Sequence, residues 1–218
     1  MTQTNARRQR TVIVGSMNPQ KAAEMATLLA DMDVPVRSLR EFSDVKAVAE
    51  DGVTFAENAR LKALGLARQV VGPDVLGLVA DDSGIEVDAL DGRPGVYSAR
   101  YAGEGATDPE RVQLMLDELR DVPSERRTAR FRCHIAFSDG ERILLETEGV
   151  VEGRIAFSPA GDFGFGYDPI FIPVGYDRTF AELGAAVKHK ISHRAQALRK
   201  FRDALAAVSY THLRAHET

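Results

Sequence analysis

The chain has 218 residues, of which 44% are hydrophobic and 28% are charged, and its formal net charge is −4. These values exclude a wholly disordered chain, and 18 glycines without a triplet period exclude collagen. The acidic balance disfavours a broad basic surface for duplex nucleic acid, although it is compatible with a local anion site. Cys133 is the one cysteine and cannot form an internal disulfide, so we expect a reducing, cytoplasmic compartment.

The two ends of the chain do not continue its apolar patterns. No stretch approaches the ~18 apolar residues of a membrane span, and the basic start lacks the apolar region and cleavage site of a signal peptide. We expect no membrane partner and no nucleic-acid partner. The expected organisation is a flexible N-terminal extension over 1–10, a single α/β domain over 11–208, and an appended or read-through tail over 209–218 that follows a helix end near Val208.

The first half of the chain alternates short apolar runs with helical patterns, which is typical of an α/β domain. Asn18 can cap a helix and Pro19 suits its first position, while Thr54 and Glu57 form a capping box at a second helix start. The predicted elements are a strand at 11–14, a helix after Asn18, a short strand at 34–36, a helix from Thr54 to about Val71, and a strand at 76–80.

The second half adds a further helix and more strands. Residues 85–89 alternate apolar and acidic side chains, as a half-exposed strand does, and Thr107 begins a helix with another capping box. The remaining predicted elements are β stretches at 127–138 and 142–157, joined by the hairpin dipeptide Asp139-Gly140, and a last helix that opens near Ser192. Together they predict an α/β fold with one mixed central β-sheet and helices on its faces.

Two predicted helices begin with cations, although helix N-termini favour Asp and Glu. Lys21 lies in the first turn after Asn18. His193 and Arg194 lie in the first turn of the last helix, with Lys188 just before it. A bound phosphate would reverse the unfavourable charge interaction and accept hydrogen bonds from the free N–H groups of each helix start. The pattern favours a polyphosphate ligand, and the alternative is that these long side chains point into water.

Two aspartates, Asp81 and Asp82, directly follow an apolar run, and Ser83-Gly84 then allows a sharp turn. Ligands of open α/β sheets commonly sit beyond strand ends, and adjacent strand residues face opposite ways, so we expect one aspartate to point into a cleft. Glu50 or Asp51 could supply a second carboxylate, and magnesium needs only one or two when phosphates and waters complete its shell. The alternative is that the tetrapeptide serves turn chemistry alone.

Residues 161–169 alternate glycine with aromatic rings from Phe163 to Tyr167. In an extended conformation the rings share one face, and such a platform can stack a base. Asp168 beside the rings favours a base pocket. The alternative is that the rings pack singly in the core.

The chain contains, in order, the segments SMNPQK (16–21), DGVTFAENA (51–59), ADDSG (80–84), PGVYSARYAG (94–103), FGFGYDP (163–169) and SHRAQAL (192–198). Together they resemble the inosine triphosphate pyrophosphatase family of dITP/XTP pyrophosphatases, over about residues 11–208. The resemblance implies a mixed α/β fold in which two lobes enclose a cleft, usually as a homodimer. It also implies Mg²⁺-dependent hydrolysis of deaminated purine nucleoside triphosphates (ITP, dITP, XTP, dXTP) to the monophosphate and pyrophosphate.

The resemblance further implies roles for individual residues. Asp82 is similar to the catalytic base and metal ligand, Glu50 to a second metal ligand, and Ser83 to a substrate contact. The residues similar to the other nucleotide-binding positions are Ser16, Met17, Asn18, Pro19, Gln20, Lys21, Phe165, Gly166, Tyr167, Asp168, Lys188, His193 and Arg194. Relatives often have Thr-Gly-Asn and a glycine before the lysine in the first loop, so this glycine-free loop departs from the family pattern.

The expected reaction is attack of water on the α-phosphorus, with Asp82 deprotonating the water or holding the metal. Mg²⁺, Lys21 and helix N–H groups would neutralise the phosphates. Donors such as His193 and Arg194 would favour a purine with a keto oxygen over adenine, whose amino group is itself a donor. Two alternatives stay open: a nucleotide-binding regulatory module without turnover, and a related pyrophosphatase for modified pyrimidine nucleotides.

Overall fold

The computed structural model describes residues 10–32 and 34–214, without the side chains of 208–214. The strands are β1 (Thr11–Val14), β2 (Val36–Ser38), β3 (Val75–Val87), β4 (Thr128–Ser138), β5 (Ile143–Ile155) and β6 (Phe171–Pro173). The helices are α1 (Pro19–Leu29), α2 (Phe55–Val70), α3 (Asp108–Glu118), α4 (Phe180–Ile191) and α5 (His193–Arg214).

The strands form one mixed sheet in the order β2-β1-β3-β4-β5-β6. β1 lies parallel to β2 and β3, and the pairs β3/β4, β4/β5 and β5/β6 are antiparallel. Helices pack on both faces, so the predicted fold class is confirmed. The hairpin predicted at Asp139-Gly140 joins β4 to β5, and Gly140 adopts the positive φ of 95° that its turn requires.

Local sequence signals account for the first helix starts. Asn18 caps α1, and its Oδ1 accepts from the N–H groups of Gln20 and Lys21 at 2.9 and 3.1 Å. Thr54 and Glu57 form the predicted capping box of α2, with Thr54 Oγ1 accepting from the Glu57 N–H at 3.1 Å. α3 begins with a capping box of the same kind. These predicted helix starts are confirmed.

β3 is longer than predicted. The sequence predicts strands at 76–80 and 85–89 with a turn between them, whereas β3 runs unbroken over 13 residues. β4 pairs with it from Leu78 to Val87, so the ladder hydrogen bonds override the turn preferences of Asp, Ser and Gly. Glycine is required at position 84, because a Cβ on Gly84 would collide with Ser98 Oγ in the loop that crosses the strand.

Some other boundaries differ from the predictions. The strand predicted at 34–36 begins later, as β2, and the last helix passes its predicted end near Val208. α4 and β6 lie where the sequence pattern predicted no element. Residues 1–9, 33 and 215–218 lie outside the described residues, which include most of the predicted extension and the end of the predicted tail. In the described part of the chain, no helix combines the length and apolar character needed to cross a membrane.

Three apolar clusters stabilise the fold, and they meet at one point on β3. Two cover opposite faces of the sheet, one beneath α1 and α5 and the other beneath α2. The third joins α3 and α4 to the far ends of β3 and β4. β3 contributes to the first two clusters as far as Ala80 and to the third from Ile85, so the polar tetrapeptide 81–84 lies at the junction. A cleft can open there without removing apolar packing.

Arg127 is a buried cation that binds main-chain carbonyls. Its guanidinium donates to the carbonyl oxygens of Leu119, Val122 and Ala156 at 2.6, 2.9 and 2.9 Å. Leu119 is the C-terminal cap of α3, so the guanidinium also meets the negative end of the dipole of this helix. Arg127 therefore connects the end of α3 to the segment that follows β5.

Replacing Arg127 with methionine should lower the free energy of unfolding by at least about 2 kcal/mol, because buried carbonyl oxygens lose their donors. Urea unfolding followed by circular dichroism measures the change. Arg126→Met is the matched control, since Arg126 is exposed and its loss should change stability by less than about 0.5 kcal/mol. Equal stability of the two variants would contradict the role assigned to Arg127.

Candidate functional site

The tetrapeptide 81–84 places two carboxylates on opposite faces of β3. Asp81 and Ser83 share one face, where Ser83 Oγ donates to Asp81 Oδ2 at 3.1 Å. Asp82 points the other way and accepts from Asn58 Nδ2 of α2 at 3.2 Å. Asp81 is only 1% exposed, whereas Asp82 lines a cavity. The expectation that one aspartate would point into a cleft is confirmed.

Two adjoining cavities lie beside this strand. The aromatic cavity, of about 220 Å³, has ring walls that include Phe131, Phe165 and His193. The acidic cavity, of about 330 Å³, has the carboxylates of Glu50 and Asp82 in its wall. One cavity thus offers ring faces to a ligand, and the other offers carboxylates.

Most of the predicted site residues line this cleft. Asn18, Lys21 and Ser83 border both cavities and mark where they meet. The predicted residues that line the aromatic but not the acidic cavity are Gln20, Phe165, Gly166, Tyr167, Asp168, Lys188, His193 and Arg194. Those that line the acidic but not the aromatic cavity are Ser16, Met17, Glu50 and Asp82. Pro19 lines neither cavity.

The start of α1 offers fewer free N–H groups than expected. Pro19 has none, and the N–H groups of Gln20 and Lys21 donate to Asn18 Oδ1. These groups are therefore not open to a phosphate, which corrects the expectation for this helix start. The Lys21 side chain is 19% exposed and is the part of the turn that can meet a ligand.

The cations at the two helix starts have carboxylate partners within the protein. Arg194 is 1% exposed, pairs with Asp81 at 3.1 Å and also pairs with Glu24. Lys21 Nζ lies 3.4 Å from Asp81 Oδ2. The alternative in which Arg194 points into water is therefore wrong. The charge pattern that favoured a phosphate is balanced instead by carboxylates of the chain, so on its own it no longer argues for a ligand.

Burial and charge shift the pKa values of the two adjacent aspartates in opposite directions. Burial works to raise the pKa of Asp81, but nearby cations, first Lys21 and then Arg194, outweigh it and hold this pKa well below its usual range. Burial raises the pKa of Asp82, and the charges of Lys62 and Lys21 offset only part of the rise. Asp81 is thus a permanent anion, whereas Asp82 is the stronger base.

Lys62 is a site residue that the sequence analysis missed. From α2 its Nζ donates to the main-chain oxygen of Asp81 at 2.9 Å and pairs with Glu50 at 2.8 Å. Burial works to lower the pKa of Lys62, but neighbouring carboxylates outweigh it and leave the pKa raised. Lys62 therefore stays charged. Lys62 is one of several charged residues on α2, and nothing in the sequence pattern distinguishes it from the others.

Glu24 is the second residue that was missed, although the sequence held a signal. It lies in an apolar run of α1 between Ala22 and Met25, and all three are buried. Burial works to raise the pKa of Glu24, but Arg194 and Lys188 outweigh it and hold the pKa low. A carboxylate on a buried helix face indicates a buried cation opposite it.

The segment 161–169 turns instead of extending. Its backbone has φ values of 81°, 91° and 62° at Gly161, Gly164 and Gly166. The rings consequently diverge, with Phe163 38% exposed and Tyr167 4% exposed. The predicted three-ring platform is wrong, because positive φ angles at glycine break the alternation on which it depended.

Two rings of this segment, Tyr167 and Phe165, line the aromatic cavity, and Phe165 also contacts charged groups. Its N–H donates to Asp168 Oδ2 at 2.9 Å, and the same oxygen accepts from Lys188 Nζ at 2.7 Å. The Lys188 ammonium also lies 4.4 Å from the centre of the Phe165 ring and 3.3 Å from Glu24. Lys188 thus connects α4, α1 and the aromatic segment from a buried position.

His193 is a neutral ring in the wall of the aromatic cavity. Its ring stacks on Phe131, with centroids 4.8 Å apart and planes 11° from parallel. Among the described residues, buried His193 Nδ1 has no hydrogen-bond partner. Burial lowers the pKa of His193, and Arg194 and Lys188 lower it further, so the ring is neutral at physiological pH.

Within the described part of the chain, no three His, Cys, Asp or Glu side chains gather as a metal site. The acidic cavity nevertheless has two carboxylates in its wall, Glu50 and Asp82. This donor set fits Mg²⁺, which takes one or two carboxylates and completes its octahedron with phosphate oxygens and waters.

A model of the Ham1 family matches residues 12–204. A curated relative, the dITP/XTP pyrophosphatase of Bacillus subtilis (strain 168), is 46% identical over 195 residues, which cover 89% of this chain and 96% of the relative. The dITP/XTP pyrophosphatase of Geobacillus kaustophilus (strain HTA426) is 47% identical over 189 residues, which cover 87% and 91%.

Solved structures show the same similarity. A HAM1 protein from Coxiella burnetii superposes with a TM-score of 0.80 at 42% identity, covering 91% of this chain and 99% of that one. A nucleoside-triphosphatase / dITP/XTP pyrophosphatase from Mycobacterium abscessus gives 0.68 at 41% identity, covering 88% and 98%. Since the family model spans most of the chain and these relatives align over nearly their whole length, the chain belongs to the Ham1 family, as the sequence motifs predicted.

Proposed function

We propose that this protein is an enzyme that hydrolyses deaminated purine nucleoside triphosphates, such as ITP, dITP, XTP and dXTP, to the monophosphate and pyrophosphate. The observation that carries the proposal is a ring-walled cavity and an acidic cavity joined at Asn18, Lys21 and Ser83. The relatives named dITP/XTP pyrophosphatase support the same substrates. The reaction would remove deaminated nucleotides from the nucleotide pool.

The aromatic cavity suits a purine base. Phe165 and the stacked pair Phe131–His193 offer apolar ring faces to a flat ligand. His193 and Arg194, which line the same cavity, carry N–H donors. A purine keto oxygen accepts hydrogen bonds whereas the adenine amino group donates them, so a donor fixed here prefers hypoxanthine or xanthine to adenine.

Asp82 is the proposed general base at the phosphate end. Asn58 holds one oxygen of its carboxylate at 3.2 Å, which leaves the other oxygen to accept a proton from water. Water transfers a proton to Asp82 as its oxygen bonds to the α-phosphorus. The bond from this phosphorus to the bridging oxygen breaks, and pyrophosphate leaves with the electron pair. Lys21, where the cavities meet, stabilises the phosphate charge.

Mg²⁺ is the proposed cofactor. Glu50 and Asp82 would hold it in the acidic cavity, and when bound the ion would neutralise phosphate charge. Lys62 lies 2.8 Å from Glu50 and balances part of the carboxylate charge there.

The proposed setting is a homodimer in a reducing cytoplasm. The family resemblance supports the homodimer. The single cysteine, Cys133, is a free and buried thiol, which suits a compartment where disulfides do not form.

The substitution Asp82→Asn should lower kcat for ITP by about 10²–10⁴-fold, because asparagine cannot accept the proton of the attacking water. Burial disfavours the charged form of Asp82, so the neutral side chain should leave the thermal midpoint without Mg²⁺ equal to or above the wild-type value. Pyrophosphate release and a thermal melt measure the two effects.

Asp177→Asn is the control for this substitution, since Asp177 is exposed and lines neither cavity. It should keep the wild-type kcat. Wild-type kcat in Asp82→Asn would exclude Asp82 as the general base, and a lowered thermal midpoint would contradict the cost assigned to its ionised form.

ITP, dITP and XTP should be hydrolysed with kcat/KM at least about 10-fold above that of ATP, because the adenine amino group would face a donor. Pyrophosphate release from a nucleotide panel, with Mg²⁺ and with EDTA, measures both base selectivity and metal dependence.

Equal rates on ATP would contradict the proposed base selectivity, and full activity in EDTA would contradict the proposed Mg²⁺ cofactor. Faster turnover of modified pyrimidine nucleotides would favour that alternative, and tight binding without turnover would favour the regulatory module.

A further inference from the structure

Arg100 differs from the other cations of the cleft. Those with carboxylate partners are Lys21, Lys62, Arg111, Lys188 and Arg194. Arg100 lines the acidic but not the aromatic cavity, is exposed, and forms no ion pair with any carboxylate in residues 10–32 and 34–207. Its charge is therefore free to meet a ligand, whereas each of the others also faces a carboxylate of the chain.

A short, well-anchored 3-10 helix, Gly95–Arg100, ends the loop that presents Arg100. Ser98 Oγ accepts from the Ile85 N–H of β3 at 2.9 Å and donates to the Gly95 oxygen at 2.6 Å. The Ser98 main-chain oxygen accepts from the Tyr167 hydroxyl at 2.9 Å. Because Tyr167 lines the aromatic cavity, the loop that carries Arg100 is fixed partly by the ring wall of that cavity.

The residue that directly precedes Arg100 is anchored in a similar way. The Ala99 oxygen accepts from Arg111 Nη1 at 3.0 Å, and Arg111 is paired with Asp108. The Asp108 carboxylate also accepts from the Gly166 N–H at 2.6 Å. At the side-chain end, the Arg100 guanidinium carbon lies 4.9 Å from the centre of the Tyr97 ring, which holds the guanidinium by a cation–π contact. Both ends of the residue are thus positioned before a ligand binds.

The acidic cavity needs a further cation when a triphosphate enters it. Glu50 and Asp82 place two carboxylates in its wall against the ammonium of Lys62, and the charge of Lys21 is opposed by Asp81 at 3.4 Å. A triphosphate adds several negative charges, of which a bound Mg²⁺ neutralises only part. A guanidinium is suited to the remainder because its planar fork binds two phosphate oxygens at once.

We propose that Arg100 binds the two terminal phosphates of the substrate and stabilises them as the pyrophosphate leaves, which rests on the proposed function. With the base in the aromatic cavity, the residues that border both cavities face the middle of the nucleotide. The terminal phosphates then occupy the acidic cavity, where Arg100 lies. Negative charge that develops on the leaving group during bond cleavage meets a guanidinium that is already in place.

Calorimetric titration with inorganic pyrophosphate in the presence of Mg²⁺ tests the assignment without turnover. Arg100→Ala should raise the Kd for pyrophosphate by about 10- to 100-fold, and Arg100→Lys by less, because lysine keeps the charge but not the fork. The Kd for inosine monophosphate should stay unchanged, because this product lacks the terminal phosphates. Arg178→Ala is the matched control, since Arg178 is exposed and lines neither cavity.

Steady-state hydrolysis of ITP supplies a second measurement. Arg100→Ala should lower kcat/KM by about 10- to 100-fold and should lower kcat as well, because the contact strengthens as the leaving group gains charge. An unchanged Kd for pyrophosphate, or an equal rise in the Kd for inosine monophosphate, would overturn the assignment.

The two proposals can fail separately. Should the wild-type protein bind pyrophosphate through Arg100 yet hydrolyse no nucleotide, the proposed function fails and the phosphate site stands. Should the wild-type protein hydrolyse ITP while Arg100→Ala matches it in kcat/KM and in pyrophosphate Kd, only the role of Arg100 is overturned.

Discussion

The site depends on a single buried carboxylate, Asp81, and on the cations that neutralise it. Lys21 approaches from α1 and Arg194 from α5, while Lys62 of α2 binds the main-chain oxygen of the same residue. A buried carboxylate without partners would be costly, so the three helices must dock on β3 for Asp81 to stay ionised. The same docking brings the lining of both cavities together. Packing of the helices and assembly of the cleft are therefore one event.

The buried ion pairs extend this arrangement to the far wall of the cleft. Glu24 joins Arg194 to Lys188, and Lys188 in turn holds Asp168 and the ring of Phe165. Buried ion pairs contribute little net stability, but the loss of one partner leaves a charge that the interior cannot solvate. Such a network selects one arrangement of its elements over others. Its cations position the cleft walls, and partly exposed Lys21 also borders both cavities where a ligand charge can meet it.

Short-range sequence signals predicted local structure well. Contacts between residues far apart along the chain could not be predicted from the sequence. The capping box at Thr54 and Glu57 lies within one helical turn, so both interacting residues can be recognised from their spacing in the sequence. The partners of Arg194 lie 113 and 170 residues away, at Asp81 and Glu24, and no spacing rule reveals them. The cations at the two helix starts were therefore predictable, whereas their partners are carboxylates of the chain and not the expected phosphate.

The same limit explains the error at residues 81–84. Asp, Ser and Gly favour turns when taken alone, but in this chain β4 pairs with all four residues of the segment and holds it extended. That extension matters for the site, because a strand sends adjacent side chains to opposite faces whereas a turn would not. The family motifs located the segment, and only the pairing of β3 with β4 determined which way each carboxylate faces.

Extension of β3 also explains how two neighbouring aspartates acquire different properties. Asp81 enters the cationic network and remains ionised, whereas Asp82 faces the acidic cavity. Burial is the largest cause of the raised pKa of Asp82, and after the opposing cations the charge of Asp81 raises it further. The anion that organises the helices therefore also strengthens the adjacent base. Two carboxylates on one strand can serve structure and proton transfer because their environments push the two pKa values apart.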